Sequence, residues 1–389
     1  MKIFNYSKSD NDLLFKTYFI FLASGAVSTL TGAILPEMQA EYNLSYSLRG
    51  LLLSFQQCGN LAAVFLAGFL PYLIGRKKCT ILLSSGITLG IILYVLSGNP
   101  ILLIIAFTLT GVGRGTLSNT SNVVVASITG NSTAGLNILH ASFAMGALIS
   151  PLIAALLVGR WKLTSMIFAV IMAISILLIA NSSLSNEREK KEKENKIAFY
   201  RDVDFYLVSF ILFFYLCSEA SLMGWMVTYF TETGLLSPSN AKIMQSLIWI
   251  MILVGRIIVA SISPKFKNKM VIVLALGLIL VFSFILMMSF NSKILMVISL
   301  LLVGFSMSGI YPTTISTQNP KYNKNTIATG SCMAIATLGG VLWPNVIGVV
   351  AEKYTLKNAM FTILIPLIIM NILIIFKVFR KNIENYQCR

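Results

Sequence analysis

Charge is what this chain most lacks. Aspartate, glutamate, lysine and arginine make up 11% of its 389 residues, against 56% hydrophobic residues, whereas water-soluble domains carry about 25% charged residues. Acids are the scarcer sign, 14 in all, and histidine occurs once, as His140. The five cysteines, Cys58, Cys79, Cys217, Cys332 and Cys388, are scattered and give neither zinc-site spacing nor a disulfide framework. A Gly-x-x-x-x-Gly-Lys-Ser/Thr loop for nucleotide phosphates is missing, and no triad, metal cluster or pair of acids can be assembled from residues within the apolar runs. These absences argue against a soluble globule, a metalloprotein, an enzyme and direct use of ATP, and no cofactor or metal is expected. The net charge of +16 would suit nucleic acid, but its distribution fits membrane topology better than a phosphate footprint, so no nucleic-acid partner is expected.

What the chain has is long apolar runs. Crossing a hydrocarbon core of ~30 Å takes roughly 20 apolar residues. Runs of that length recur between short polar hinges, which fits polytopic helices rather than an outer-membrane barrel. Hydropathy places spans at about 14–35, 48–70, 80–96, 101–125, 136–158, 163–179, 205–230, 241–262, 270–290, 294–315, 327–350 and 359–376. Residues 1–12 are polar and lack the basic start, short apolar run and small-residue cleavage site of a signal peptide, so the first run is expected to remain as a true span.

Assigning alternate loops to one side collects 21 of the 30 basic residues there. Seven fall on the other side (Arg49, Arg160, Lys162, Lys242, Lys293, Lys353 and Lys357), and Arg114 and Arg256 fall inside spans. The positive-inside rule then makes this a multi-pass protein of the cytoplasmic (inner) membrane with both termini in the cytoplasm. The polar segment 181–204 holds a mixed-sign run at 187–194 and leaves six spans on each side. The expected organisation is therefore an N-terminal six-helix bundle (1–180), a cytoplasmic linker (181–204) and a C-terminal six-helix bundle (205–389). Gly146 to Pro151 of the fifth span recurs as Gly339 to Pro344 of the eleventh, an offset of 193 residues that Pro71 and Pro264 share. Duplicated halves with a midplane site between them are the architecture of secondary transporters. Coincidence among membrane glycines and prolines is the competing reading.

Ionisable groups deep in a bilayer cost at least ~2.5–3.5 kcal/mol, so they are kept mainly where a cavity or a partner receives them. Of the acids only Glu219 sits in mid-span, and of the bases Arg114 lies near the centre of the fourth span, while Arg256 is close enough to its helix end to snorkel or to anchor a loop. Thr110, Ser118, Ser121 and Asn122 share the Arg114 face at helical spacing, a stripe expected to line water. Tyr215 precedes Glu219 by one turn. Glu219 is read as an acceptor for substrate hydroxyls, as a proton carrier, or as both; an Arg114–Glu219 ion pair locking the halves is the structural alternative. Gln57, Asn137, Trp249 and Tyr311 join the expected substrate-binding set, since aromatic faces stack on sugar rings and amides satisfy hydroxyls; Trp225 would point elsewhere unless Gly224 breaks the helix. Taken singly, each is equally at home as a helix–helix hydrogen bond or an interfacial anchor.

Over all twelve spans the chain resembles the major facilitator superfamily. The loop from Gly68 through Pro71, Tyr72 and Gly75 to Arg76, Lys77 and Lys78 is similar to that superfamily's signature loop, and Gly75 and Arg76, with Arg256, are read as gating residues. Tyr72 stands where the signature has an aspartate, which removes the acid to which a conformational latch is attributed. Within the superfamily the chain looks most like the fucose–galactose–glucose:proton symporter group, on the stretches 113–122, 136–151 and 215–229. That resemblance implies sugar and proton handling by Asn122, Asn137, Glu219 and Trp225. Two departures stand out: Ser118 occupies what looks like the fourth-helix acid position, leaving coupling to Glu219, and Arg114 is not a family feature and suits a carboxylate- or phosphate-bearing solute better than a neutral hexose.

The fold expected is an all-α integral membrane protein of twelve helices in two pseudo-symmetric six-helix bundles. The function expected is a monomeric secondary transporter that moves a small hydroxylated solute, a sugar or sugar acid, by alternating access with proton symport. An exporter of amphipathic or anionic compounds is the alternative, and a non-transporting receptor would bind solute without flux.

Overall fold

The structure, a computed structural model, describes residues 6–130, 133–188, 199–289, 292–319 and 326–387. Most of the charged run at 187–194, together with Lys321 and Lys324, lies outside them. Twelve helices are long and apolar enough to cross a bilayer, and no strand occurs among the described residues. They are α1 (Lys8–Tyr42), α2 (Tyr46–Phe69), α3 (Arg76–Leu96), α4 (Pro100–Thr129), α5 (Thr133–Leu156), α6 (Trp161–Ala180), α7 (Val203–Glu232), α8 (Pro238–Ile262), α9 (Met270–Ser289), α10 (Lys293–Ser316), α11 (Thr326–Lys353) and α12 (Leu364–Gln387). Short helices Pro71–Ile74 and Leu356–Phe361 follow α2 and precede α12.

Some helices run beyond their apolar stretch where a polar cap sets the end. Ser7 accepts from the Asp10 N–H at 3.0 Å to open α1, and Asn43 closes it in the left-handed region at φ 51°. Asn99 caps α4 ahead of Pro100, whose missing N–H costs nothing in the first turn. The outward faces are apolar: Phe65, Leu82, Ile105, Phe282 and Phe376 are all exposed. Water would penalise such a surface and lipid does not.

The helices cluster into two compact units, one of residues 1–44 and 55–192, the other of 45–54 and 193–389. In the first, α1 packs on α5 through glycines. A Cβ on Gly25 would lie 2.0 Å from the Phe143 carbonyl oxygen, and one on Gly146 would lie 1.9 Å from that of Leu22. Lipid gives helices no hydrophobic reason to associate, so such close backbone approach, with hydrogen bonds such as Thr29–Ser150 at 2.9 Å, supplies the adhesion. In the second unit α7 and α11 meet the same way, with Gly339 2.0 Å from the Phe213 oxygen by the same measure. The Gly146/Gly339 repeat thus marks equivalent helix contacts. Its companion prolines also fall in equivalent places: Pro71 opens the short helix after α2, and Pro264 lies in the 3-10 turn after α8.

The short segment Ser45–Ser54, the start of α2, packs with the second unit rather than with the rest of its helix. Gly50 and Gly348 let it approach α11, a Cβ on Gly50 meeting the Pro344 oxygen at 2.7 Å.

Candidate functional site

In the first unit the polar stripe of α4 divides. Thr110 and Ser121 are buried. The Thr110 hydroxyl donates to the Phe107 carbonyl at 2.7 Å and accepts from Gln56 Nε2 at 3.2 Å, and the same amide reaches Thr31 of α1, also at 3.2 Å. Gln56 therefore ties three helices together. Gly111 and Gly115 bring α2 against α4: a Cβ on Gly111 would sit 1.9 Å from the Gln56 oxygen, and one on Gly115 2.7 Å from Asn60 Oδ1. Further along the helix α4 is less covered. Ser118 is exposed, Asn122 half-buried and tied by its Nδ2 to the Ser118 carbonyl at 2.7 Å. Arg114 lies at the junction, half-buried, with its Nε shielded from solvent and without a hydrogen-bond partner among the described residues. Gln57 is half-buried; Asn137 and His140 on α5 are exposed, and His140 meets Phe21 edge-on with ring centres 6.0 Å apart.

The signature-like loop is built on a residue only glycine can supply. Gly75 has φ 83°, and a Cβ there would fall 2.2 Å from the Asn186 carbonyl oxygen. The Lys77 N–H donates to the Ser185 carbonyl at 3.2 Å, and Lys77 Nζ donates to that of Ser182 at 2.9 Å. Arg76 reaches Asn119 Oδ1 on α4 at 3.4 Å. Within this unit the loop is thus fastened to the chain leaving α6 and to α4 at Asn119. Tyr72, half-buried, stands in the short helix where the superfamily's acid is usual.

In the second unit Glu219 is half-buried on α7. The Tyr215 hydroxyl lies 3.2 Å from Glu219 Oε1 and 3.0 Å from the Met307 carbonyl oxygen. One O–H proton faces two acceptors. With the carboxyl ionised, Tyr215 can donate to only one at a time; with it protonated, Glu219 can donate to Tyr215, whose own O–H then donates to the Met307 carbonyl. Beside them a cavity of about 10 Å³ is lined by Tyr215, Ser218 and Glu219 at its polar end and by Leu280, Phe284 and Leu367 otherwise, room for about one water. Tyr311 lies beside Tyr215 with ring centres 6.1 Å apart and planes tilted by 49°, and donates to Met333 Sδ at 2.8 Å. Arg256 is half-buried and within Coulombic range of Glu219, with no ion pair to it within 4.0 Å among the described residues. Trp249 is buried.

Trp225 departs from its expected place on a solute-facing wall. Its side chain is 0% exposed, its indole N–H donates to the Pro344 carbonyl at 3.1 Å, and the Arg49 guanidinium lies 4.7 Å from its ring centre. Both its faces and its donor are already used for packing. Sequence reasoning also missed the charged cluster around it. Arg49, placed by hydropathy at a span end, is 0% exposed, hydrogen-bonds Thr228 and lies 3.8 Å from Glu232 Oε1. The Tyr46 hydroxyl donates to Glu232 Oε2 at 2.5 Å, and the Ser47 N–H donates to Glu352 at 3.1 Å. The available signal was a lone arginine opening an apolar run on the side where positive charge is scarce.

The Major Facilitator Superfamily model matches residues 17–344, and the chain belongs to that family; it is a multi-pass membrane transporter of small solutes and not an enzyme. It is 25% identical over 349 residues to an uncharacterised MFS-type transporter of Yersinia pestis, covering 88% of this chain and 90% of that one. It is 22% identical over 375 residues to human sodium-dependent glucose transporter 1, covering 86% and 72%. The fold is shared with the solved nucleoside transporter NupG, at TM-score 0.72 and 14% identity, over 95% of this chain and 98% of that one.

Proposed function

We propose that this transporter is a monomeric secondary carrier of the cytoplasmic membrane, its termini in the cytoplasm, that moves a small hydroxylated solute, a sugar or sugar acid, by alternating access with proton symport. The observation that carries the reading is the Tyr215–Glu219 pair beside a one-water cavity. It is the mid-span carboxyl of a chain poor in acids, and it sits in a hydrogen-bond arrangement that accommodates both protonation states. Gln57, Ser118, Asn122 and Asn137 offer amide and hydroxyl groups for solute hydroxyls, and Tyr311 offers aromatic surface. Gly75, Arg76 and Arg256 are the proposed gating residues. The named glucose and nucleoside carriers lend support for a hydroxylated solute.

The test is uptake into proteoliposomes under an imposed proton gradient, with a sodium gradient as the comparison. Glu219→Gln should abolish concentrative uptake and flatten its pH dependence while downhill exchange persists. Tyr215→Phe, which removes one hydrogen bond, should displace the pH profile and lower the rate by roughly 3- to 10-fold, a loss of about 1 kcal/mol. Unchanged pH dependence in Glu219→Gln, or uptake driven by sodium alone, removes the proton role. Export of amphipathic or anionic compounds is the second reading, favoured by the cation at Arg114; it predicts drug sensitivity in cells lacking the protein with sugar uptake untouched.

A further inference from the structure

A guanidinium remains charged under all physiological conditions, so a half-buried arginine needs an acceptor or water in every state the protein visits. Other charges in the first unit have partners. Glu41 pairs with Lys162 and takes the Trp161 N–H at 2.7 Å, and Asp12 pairs with Lys16 at 2.7 Å. Arg114 has neither a hydrogen bond nor an ion pair among the described residues, and its Nε is closed off from solvent. The position is not a loose one: Gly111 and Gly115 flank it on α4 and hold α2 in backbone contact. Ser118, one turn on, is exposed, and with Asn122 it adds neutral hydrogen-bonding groups beside the charge.

Resting on the transporter reading above, we propose that Arg114 is the anion-recognising residue of this carrier and that its solute bears a carboxylate or phosphate ester alongside its hydroxyls. A planar guanidinium pairs with both oxyanions through two parallel N–H···O bonds, and a neutral solute leaves that capacity unused. Ser118 and Asn122 then bind hydroxyls of the same molecule. A charge-assisted contact of this kind favours the anion over its neutral counterpart by roughly 10- to 100-fold in affinity.

The purified full-length protein is titrated with glucose, glucuronate, gluconate and the phosphate ester of glucose, with thermal stabilisation as readout, in wild type, Arg114→Gln and Arg114→Lys. Size-exclusion profiles establish that each variant is folded. The expected result is stabilisation by at least one anion at concentrations about tenfold or more below those glucose requires. The preference is lost in Arg114→Gln and partly kept in Arg114→Lys, which retains charge without the planar fork. Glucose binding as tightly as every anion, or a preference that survives Arg114→Gln, overturns the anion assignment and leaves the transporter reading standing. Arg114-dependent anion binding with no uptake of that anion by proteoliposomes does the reverse. Stabilisation by phosphatidylglycerol in mixed micelles, lost in Arg114→Gln and matched by no soluble anion, assigns the site to a lipid headgroup and overturns the proposal. Absence of stabilisation by all of these compounds overturns it as well.

Discussion

Two arginines carried by spanning helices, Arg49 and Arg114, meet opposite surroundings. Arg49 is wholly enclosed, with a carboxylate at 3.8 Å, a threonine hydroxyl and an indole face around it. Arg114 is half-buried and has no acceptor among the described residues. The same side chain is structural in one place because its partners are built into the chain, and available for a ligand in the other because they are not. Burial alone does not separate the two roles; the presence of a counter-charge does.

The comparison breaks most visibly at Glu232. Removing one member of a buried pair strands the other, at a cost of about 3–5 kcal/mol when both are enclosed. Glu232 is 34% exposed, so water replaces part of what is lost, and Glu232→Ala should cost about 2 kcal/mol. Arg49→Met, which keeps volume and removes the charge, should cost less, and adding it to Glu232→Ala should recover part of the loss. Thermal or denaturant unfolding of the four proteins in detergent measures the coupling. Equal, additive losses would mean that the pair contributes no more than its two side chains separately.

An effect of similar size is expected at Gly111. Its hypothetical Cβ lies 1.9 Å from a backbone oxygen of α2, so Gly111→Ala must push the helices apart, at about 1–3 kcal/mol. The charge of Arg114 is untouched, but the neighbouring α2 wall, with Gln57 and Asn60, moves. Affinity for the preferred solute should fall while the anion-over-neutral ratio is kept, whereas Arg114→Gln should erase the ratio. A joint fall of affinity and ratio in Gly111→Ala would show that selectivity depends on wall spacing rather than on the guanidinium.

Span number and order were legible because a bilayer imposes a one-dimensional demand, about 20 apolar residues per helix, that a sequence displays directly. The ends were less legible: α1 continues to Tyr42 because Asn43 adopts a left-handed cap, a local hydrogen-bonding matter that hydropathy does not weigh. Arg114 and Glu219 could be picked out as mid-span charges. The cluster around Arg49 could not, since its members are 186 to 305 residues apart where Tyr46 meets Glu232 and Ser47 meets Glu352, and each alone reads as a span-end charge. Trp225 illustrates the converse error. Its expected role came from the resemblance to the sugar symporters, but its burial among Pro344, Tyr46 and Arg49 depends on α2 and α11 arriving from elsewhere in the chain.

The smallest expected change is the most discriminating. In the ligand-free protein, Arg114→Gln removes a charge whose desolvation no partner offsets, so the thermal midpoint should stay the same or rise, by about 0–1 kcal/mol in stability. A loss comparable to that of Glu232→Ala would reveal a structural partner for Arg114 and dissolve the contrast between the two arginines. The sign also bears on ligand linkage. A solute that binds through Arg114 stabilises wild type with the logarithm of one plus its concentration over Kd and leaves the variant unmoved. The two midpoints should therefore cross as anion is added: the variant level with or above wild type without ligand, and below it at saturation. A structural arginine has no reason to produce that crossing.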